Sequence, residues 1–256
     1  MPARLPIPAA LLGLAAGLVS ALLAAAPTEA AVVRMQPEGV LRIDGFQGDT
    51  NVISLRHEPR GGGASGAEPR FVIADPAGVF AIGGSSCKVT GPETITCDAG
   101  PVSSISAGLG AGDDVMMVDP GVPARYSAAI RGGEGNDVIG GGPGNDRIAG
   151  NLGRDVIAGG AGHDRLLGGP GSDGLIGGPG RDTLIGGRGA DALFGGKGRD
   201  VFRGSRGSDT LLARDGRRDR RLDCGKGGRD LAVVDRRDPR PRGCAVKRRK
   251  AKLSRR

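Results

Sequence analysis

Gly132-Gly133-Glu134-Gly135-Asn136-Asp137-Val138-Ile139-Gly140 is the first of nine nine-residue units that run without insertion to Leu212. A fixed internal period is the strongest sign of a repeat architecture that a single chain can carry. Position one is Gly in every unit, from Gly132 to Gly204, and so is position four, from Gly135 to Gly207. Position six is always Asp: Asp137, Asp146, Asp155, Asp164, Asp173, Asp182, Asp191, Asp200 and Asp209. Position eight is always apolar: Ile139, Ile148, Ile157, Leu166, Leu175, Leu184, Leu193, Phe202 and Leu211. Position two departs from Gly at Asn151 and Ser205, and the remaining columns vary.

Glycine at positions one, two and four permits positive φ and close backbone approach, so the first six residues of a unit read as a tight turn. Asn151 suits such a turn, because asparagine tolerates the left-handed region. Positions seven to nine read as a strand of about three residues. Side chains alternate faces along a strand, which turns position eight inward and seven and nine outward. Arg147 and Arg165 can therefore stand at position seven, while position eight is never charged. Two turns and two strands close an 18-residue coil, with successive turns on opposite edges. The expected fold is all-β, a parallel β-helix or β-roll solenoid. Collagen is excluded, because Gly does not fall at every third residue. A flexible linker would not keep an apolar residue at position eight in all nine units.

Stacked coils place the aspartates in two ladders at a spacing of about 4.8 Å. Adjacent carboxylates repel by about 0.9 kcal/mol even in water, and by more where water is excluded. Capping of the local backbone in an Asx turn is the plain structural role for such an Asp. A Gly-rich turn also leaves backbone carbonyls free beside each carboxylate, and Ca²⁺ takes six to eight hard oxygen ligands of these two kinds. Mg²⁺ suits the pattern less, since it keeps several waters. The apolar seam is thin, one inward side chain per nine residues, and 27 of the 81 residues are Gly. Glycine loses the most freedom on folding, so an ion that binds only the folded form is the expected source of the missing stability.

The unit resembles the nonapeptide G-G-x-G-x-D-x-U-x of RTX (repeats-in-toxin), haemolysin-type calcium-binding proteins, over 81 of 256 residues. The resemblance implies Ca²⁺ held between turns two repeats apart, with the nine aspartates named above as side-chain ligands and main-chain carbonyls as the rest. It implies at most seven such sites among the nine repeats. Independently of the resemblance, the thin apolar seam and the cost of ordering so much glycine predict that the segment is largely disordered without Ca²⁺.

Outward from the repeats, residues 1–30 read as a secretory signal peptide, with Arg4, an apolar run from Leu11 to Ala26, and small residues up to Ala30. No later stretch is apolar enough to span a bilayer as a helix, so the expected mature chain is secreted, extracellular and without a transmembrane span, a monomer by default. Residues 31–131 carry short β-prone runs such as Val40-Leu41-Arg42-Ile43 and Asn51-Val52-Ile53-Ser54-Leu55, separated by turn residues. They read as an irregular β cap on the repeats. Within them, Gly110-Ala111-Gly112-Asp113-Asp114-Val115-Met116 is a degenerate unit with Asp114 in column six. Cys87 and Cys97 flank a hairpin-like segment, and Cys224 and Cys244 flank the C-terminal region; an even count in an exported chain suggests two local disulfides, with the other pairings open.

Past Leu212, Gly225-Lys226-Gly227-Gly228-Arg229-Asp230-Leu231-Ala232 keeps the one, four and six columns, so residues 213–245 read as degenerate closing repeats. Residues 246–256 read as a basic disordered tail. From Ala213 onward there are 18 Lys and Arg against 6 acids, while the whole chain is +8, so the preceding part is net −4. For an exported chain, the partner such a tail would attract is an anionic cell-surface polymer. Specific nucleic-acid reading is not expected, with no Trp and one Tyr for base stacking.

Enzymatic motifs fail on inspection. His57-Glu58 lacks the second His of H-E-x-x-H, and Gly83-Gly84-Ser85-Ser86-Cys87 lacks the final Gly of a nucleophile elbow. His163, in the variable column five, reads as a solvent-facing substitution. The expected function is therefore non-enzymatic: a secreted Ca²⁺-binding structural or binding module that folds on extracellular Ca²⁺. The alternatives are a haemolysin-like, membrane-active protein directed at a host, or an accessory domain of a secreted hydrolase.

Overall fold

The computed structural model describes residues 31–248, apart from 37, 46–49, 59–69, 75–79, 84–86, 92–93 and 99–101. The expected signal peptide and the last eight residues of the expected tail lie outside the described residues.

The nine-residue period becomes two parallel sheets, because each coil contributes one strand to each. The first sheet stacks Arg147–Leu152, Arg165–Pro170, Thr183–Arg188, Val201–Arg206 and Arg221–Lys226. The second stacks Val138–Gly140, Val156–Ala158, Gly174–Gly180, Ala192–Gly198, Thr210–Ala213 and Leu231–Val234. Like columns pair: Ile148 stands beside Leu166, and Leu166 beside Leu184. All strands among the described residues are β, with no helix, so the molecule is a parallel β-roll. Every position-eight side chain is at most 2% exposed. Together they form one apolar seam between the sheets, continuous with the core of the flanking strands.

Several strands are longer than the expected three residues. Arg165–Pro170 and Thr183–Arg188 pair through Gly169↔Gly187 and Pro170↔Arg188, so the ladder carries on into the first positions of the next unit. Successive coils have the same length and stay in register through the bend, which lets those amides find partners.

Column two fits the reading of positive φ: Asn151 adopts φ 80° and Ser205 φ 89°, alongside glycines such as Gly160 at 106°. Column one does not. None of its nine glycines adopts positive φ, and the requirement there is space, as described below.

The two sheets extend beyond both expected ends of the repeats. In the first, Ser127–Glu134 pairs with Ser104–Ala111, which pairs with Val40–Asp44, all parallel. In the second, Val138–Gly140 pairs with Val115–Val118, which pairs with Val52–Glu58. Part of the region expected as a separate cap thus forms further coils of the roll. The remainder, including the antiparallel strands Arg70–Ala74, Thr94–Asp98 and Cys87–Gly91, closes that end of the second sheet. There His57 packs edge-on against Phe71, with ring centroids 5.3 Å apart, next to Tyr126. Burial, then the charge of Arg125, lowers its pKa, and the ring is a packing element.

Both disulfides are local. Cys87–Cys97 ties adjacent antiparallel strands, and Cys224–Cys244 ties the last coils. The second bridge sets Ala245 beside Leu231, and Ala245–Arg248 joins the sheet. Val246, Lys247 and Arg248, expected as the start of a disordered tail, are therefore strand residues.

A left-handed conformation costs a residue with a Cβ about 1–2 kcal/mol. Ser205→Gly should accordingly raise stability by about 1 kcal/mol, read as a higher melting temperature in Ca²⁺, while Gly160→Ser lowers it.

Candidate metal centre

The strand alternation that buries position eight also buries its neighbours two residues either side, which are the column-six Asp and the column-one Gly of the next unit. All nine expected aspartates are at most 2% exposed. Their carboxylates point into the edge of the roll rather than out of the turn.

Each carboxylate binds across coils. Oδ1 of Asp155 accepts the backbone N–H of Asp137 at 2.9 Å, and Oδ1 of Asp173 accepts that of Asp155 at 2.9 Å. On the opposite edge Asp164 accepts from Asp146 at 2.8 Å, and Asp182 from Asp164 at 2.9 Å. The same bond continues through Asp191, Asp200 and Asp209. The expected pair of ladders is present, bound through amide-to-carboxylate bonds between coils.

Oδ2 is different. In eight of the nine expected aspartates, Asp200 being the exception, it is buried without a hydrogen-bond partner. Column-one Gly explains the room it has. A Cβ on Gly177 would lie 2.5 Å from Asp182 Oδ2 and 2.5 Å from the carbonyl oxygen of Gly195 on the next coil. At Gly141 the same two partners, Asp146 Oδ2 and Gly159 O, would lie at 2.5 and 2.7 Å. A carboxylate oxygen and a main-chain carbonyl thus converge on a space that a methyl group would fill.

Desolvation pushes these groups up from the ordinary carboxylate range: Asp137 and Asp200 to about 6, and Asp146, Asp155, Asp182 and Asp191 to about 7. The amide bond to Oδ1 opposes the shift in each case, and neighbouring carboxylates add to it in most. Asp164, Asp173 and Asp209 move the same way for the same leading cause.

No three His, Cys, Asp or Glu side chains converge on one point among the described residues. A cation here would take carboxylate oxygens from the ladder and complete its shell with carbonyls. That donor set of hard oxygens fits Ca²⁺ and not a transition metal. The unpartnered Oδ2 atoms are the observation that supports the fit.

The ladders run beyond the nine expected residues. Asn51 donates to Asp114 at 2.6 Å, and Asp114 to Asp137 at 3.0 Å, which places the degenerate unit in column six. Asp209 donates to Asp230 at 2.8 Å. Asp219 and Asp238 were not identifiable from the period, yet they accept from Asp200 at 2.9 Å and from Asp219 at 3.1 Å. Their separations are 19 residues where the repeat has 18, so the column is offset by one. Burial pushes Asp219 up furthest, to about 8.

Column five carries an outer ladder of opposite sense. The Arg154 N–H donates to Asn136 Oδ1 at 2.9 Å, and the His163 N–H to Asn145 Oδ1 at 2.7 Å. His163 is exposed, and its Nδ1 accepts the Arg181 N–H at 3.0 Å, so it ties coils together as Asn does.

Residues 129–148, 140–175 and 176–211 match the family model of the RTX calcium-binding nonapeptide repeat (4 copies). No curated protein and no solved structure matches the chain.

Two outcomes follow. A carboxyl whose folded pKa is raised stabilises the fold fully below the ordinary carboxylate pKa, near 4, and loses that contribution as pH rises through the raised value. In chelator, circular dichroism should therefore show most β structure near pH 4 and a loss between about pH 5 and 8, abolished by Ca²⁺. Gly177→Ala should lower stability by about 1–3 kcal/mol in Ca²⁺ melts, because its methyl enters the space between the two oxygens.

Proposed function

We propose, for a chain whose segment 129–211 is built of RTX calcium-binding nonapeptide repeats, that it is a secreted, non-enzymatic module whose roll orders when it meets extracellular Ca²⁺. RTX repeats bind Ca²⁺, and the fold is a β-roll. The column-six aspartates Asp137, Asp146, Asp155, Asp164, Asp173, Asp182, Asp191, Asp200 and Asp209 are the side-chain ligands in this reading. The observation that carries it is the row of buried Oδ2 atoms with no hydrogen-bond partner. Left ionised and unpaired, each is costly; a cation shared between adjacent coils removes both that cost and the repulsion along the ladder. Up to seven ions fit between the nine repeats, and Asp114, Asp219, Asp230 and Asp238 offer further rungs at the ends.

Export supplies the setting. Two disulfides suit an oxidising compartment, and weak, extracellular-type sites suffice where Ca²⁺ is millimolar. The chain then acts through its surface rather than through turnover.

Far-ultraviolet circular dichroism in chelator and in millimolar Ca²⁺ tests the coupling, with gain of β signal expected on adding Ca²⁺. Calorimetry counts the ions. Asp164→Asn with Asp182→Asn keeps the Oδ1 acceptor and removes the charge; it should lower the count by up to three, the ladder pairs in which these two residues take part. An unchanged count would remove the aspartates from the ligand set.

A further inference from the structure

Along the repeat coils the outward faces of the two sheets differ in charge. On the second sheet, columns seven and nine carry no charged side chain from Val52 through Val233 among the described residues, and are lined by Met117, Ile176, Phe194 and Leu212. On the first sheet the same columns carry arginines. Arg131, Arg147, Arg165 and Arg203 are exposed and have no acidic partner among the described residues, as are Arg240 and Arg242 at the far end. Two acids lie on that face: Asp44 is paired with Arg34 and Arg42 at 2.8 Å, and Asp223, which pairs with Arg221 at 2.6 Å, stands between Arg203 and Arg242 in the ladder, so the uncompensated charge is greatest at Arg131, Arg147 and Arg165.

We infer that this face of the roll binds an extended acidic polysaccharide, a linear chain of carboxylate-bearing sugars laid along the solenoid axis. Arg147 and Arg165 stand directly beside each other in the ladder. Like charges in that relation destabilise a sheet, and Thr183 occupies the same column one coil later without charge. An anionic ligand offsets the repulsion.

Geometry favours a long, flat ligand. Arg131, Arg147 and Arg165 lie on three successive coils and border a shallow depression floored by Ala129 and Ala149. A second depression lies between Arg221, Arg240 and Arg242. From the coil of Arg131 to that of Arg242 is six steps of about 4.8 Å, or roughly 29 Å. All six unpaired cations are arginine, whose planar fork matches carboxylate in a bidentate manner. Ala149 and the partly exposed Leu167 offer apolar surface for sugar rings between the charges. Columns seven and nine of this face hold no aromatic side chain from Ala129 to Asp223 on which a base would stack, and their large exposed apolar side chain is Leu167 alone, too little for insertion into a bilayer interface.

The test is calorimetry of the chain in millimolar Ca²⁺ with hyaluronate as the probe and neutral dextran as the control. Hyaluronate should bind with an affinity that falls as salt rises, and dextran should not bind. Arg131→Gln with Arg147→Gln and Arg165→Gln should weaken binding at least tenfold and flatten the salt dependence, with the circular dichroism spectrum unchanged. If that variant loses its β spectrum, Arg147→Lys with Arg165→Lys keeps the charge, loses the bidentate fork, and should still weaken binding several-fold. Wild-type affinity in a folded triple-Gln variant overturns the inference. So does loss of binding only on replacing Lys247, Arg248, Arg249 and Lys250 with Gln. Tighter binding to single-stranded DNA or to phosphatidylglycerol vesicles overturns the polysaccharide as ligand. Circular dichroism and calorimetry with Ca²⁺ alone report on calcium binding separately, so the two readings fail independently.

Discussion

A carboxylate inside a protein must be matched or neutralised, and this fold places one on every half-coil. Oδ1 is matched by a main-chain amide of the adjacent coil; Oδ2 is left facing a carbonyl across a small gap. Half of each side chain is therefore structural mortar and half is a demand for positive charge. The demand follows from the alternation of the strand: a residue two places before a buried Leu or Ile points the same way. Asp at position six cannot escape to solvent without breaking the register that buries position eight.

The glycine columns follow from this constraint rather than from turn formation alone. Column two bends the chain and is the one place where Asn and Ser adopt the left-handed conformation. Column one stands in for empty space. Its missing side chain lets the carboxylate lie beside the next coil's carbonyl, so Gly and Asp act there as a single unit. With interior positions spent on Gly and Asp, the apolar content falls to one side chain per half-coil. Stacking repeats that one contact until the seam runs the length of the molecule.

Much of this was legible because the chain writes its own alignment. Nine in-phase units fix the period, the buried column, the acidic column and the class of fold before any coordinate is known. The direction of the carboxylates was harder to read. Asp at six and Leu at eight share a face only if the strand begins at or before six, and a run of Gly signals turn rather than strand. Asp219 and Asp238 were hidden because one added residue per coil shifts them out of the column, although their bonds are those of the regular ladder. Asp114 lies 23 residues before Asp137, and the motif around it survives the five extra residues, which explains why it could be recognised out of phase. Column five looked random because Asn, His and Ser perform one task there, accepting an amide proton, with different atoms.

The amide-to-carboxylate ladder has a direction. In every coil the donor belongs to the earlier residue and the acceptor to the later one. Each coil therefore presents a row of amides whose carboxylate acceptors belong to the next coil toward the carboxyl end. Every coil of the repeat thus meets its neighbours through the same contacts, carboxylate on one side and amide on the other. At the carboxyl end of this one-way series the Cys224–Cys244 bridge holds the last coils together covalently.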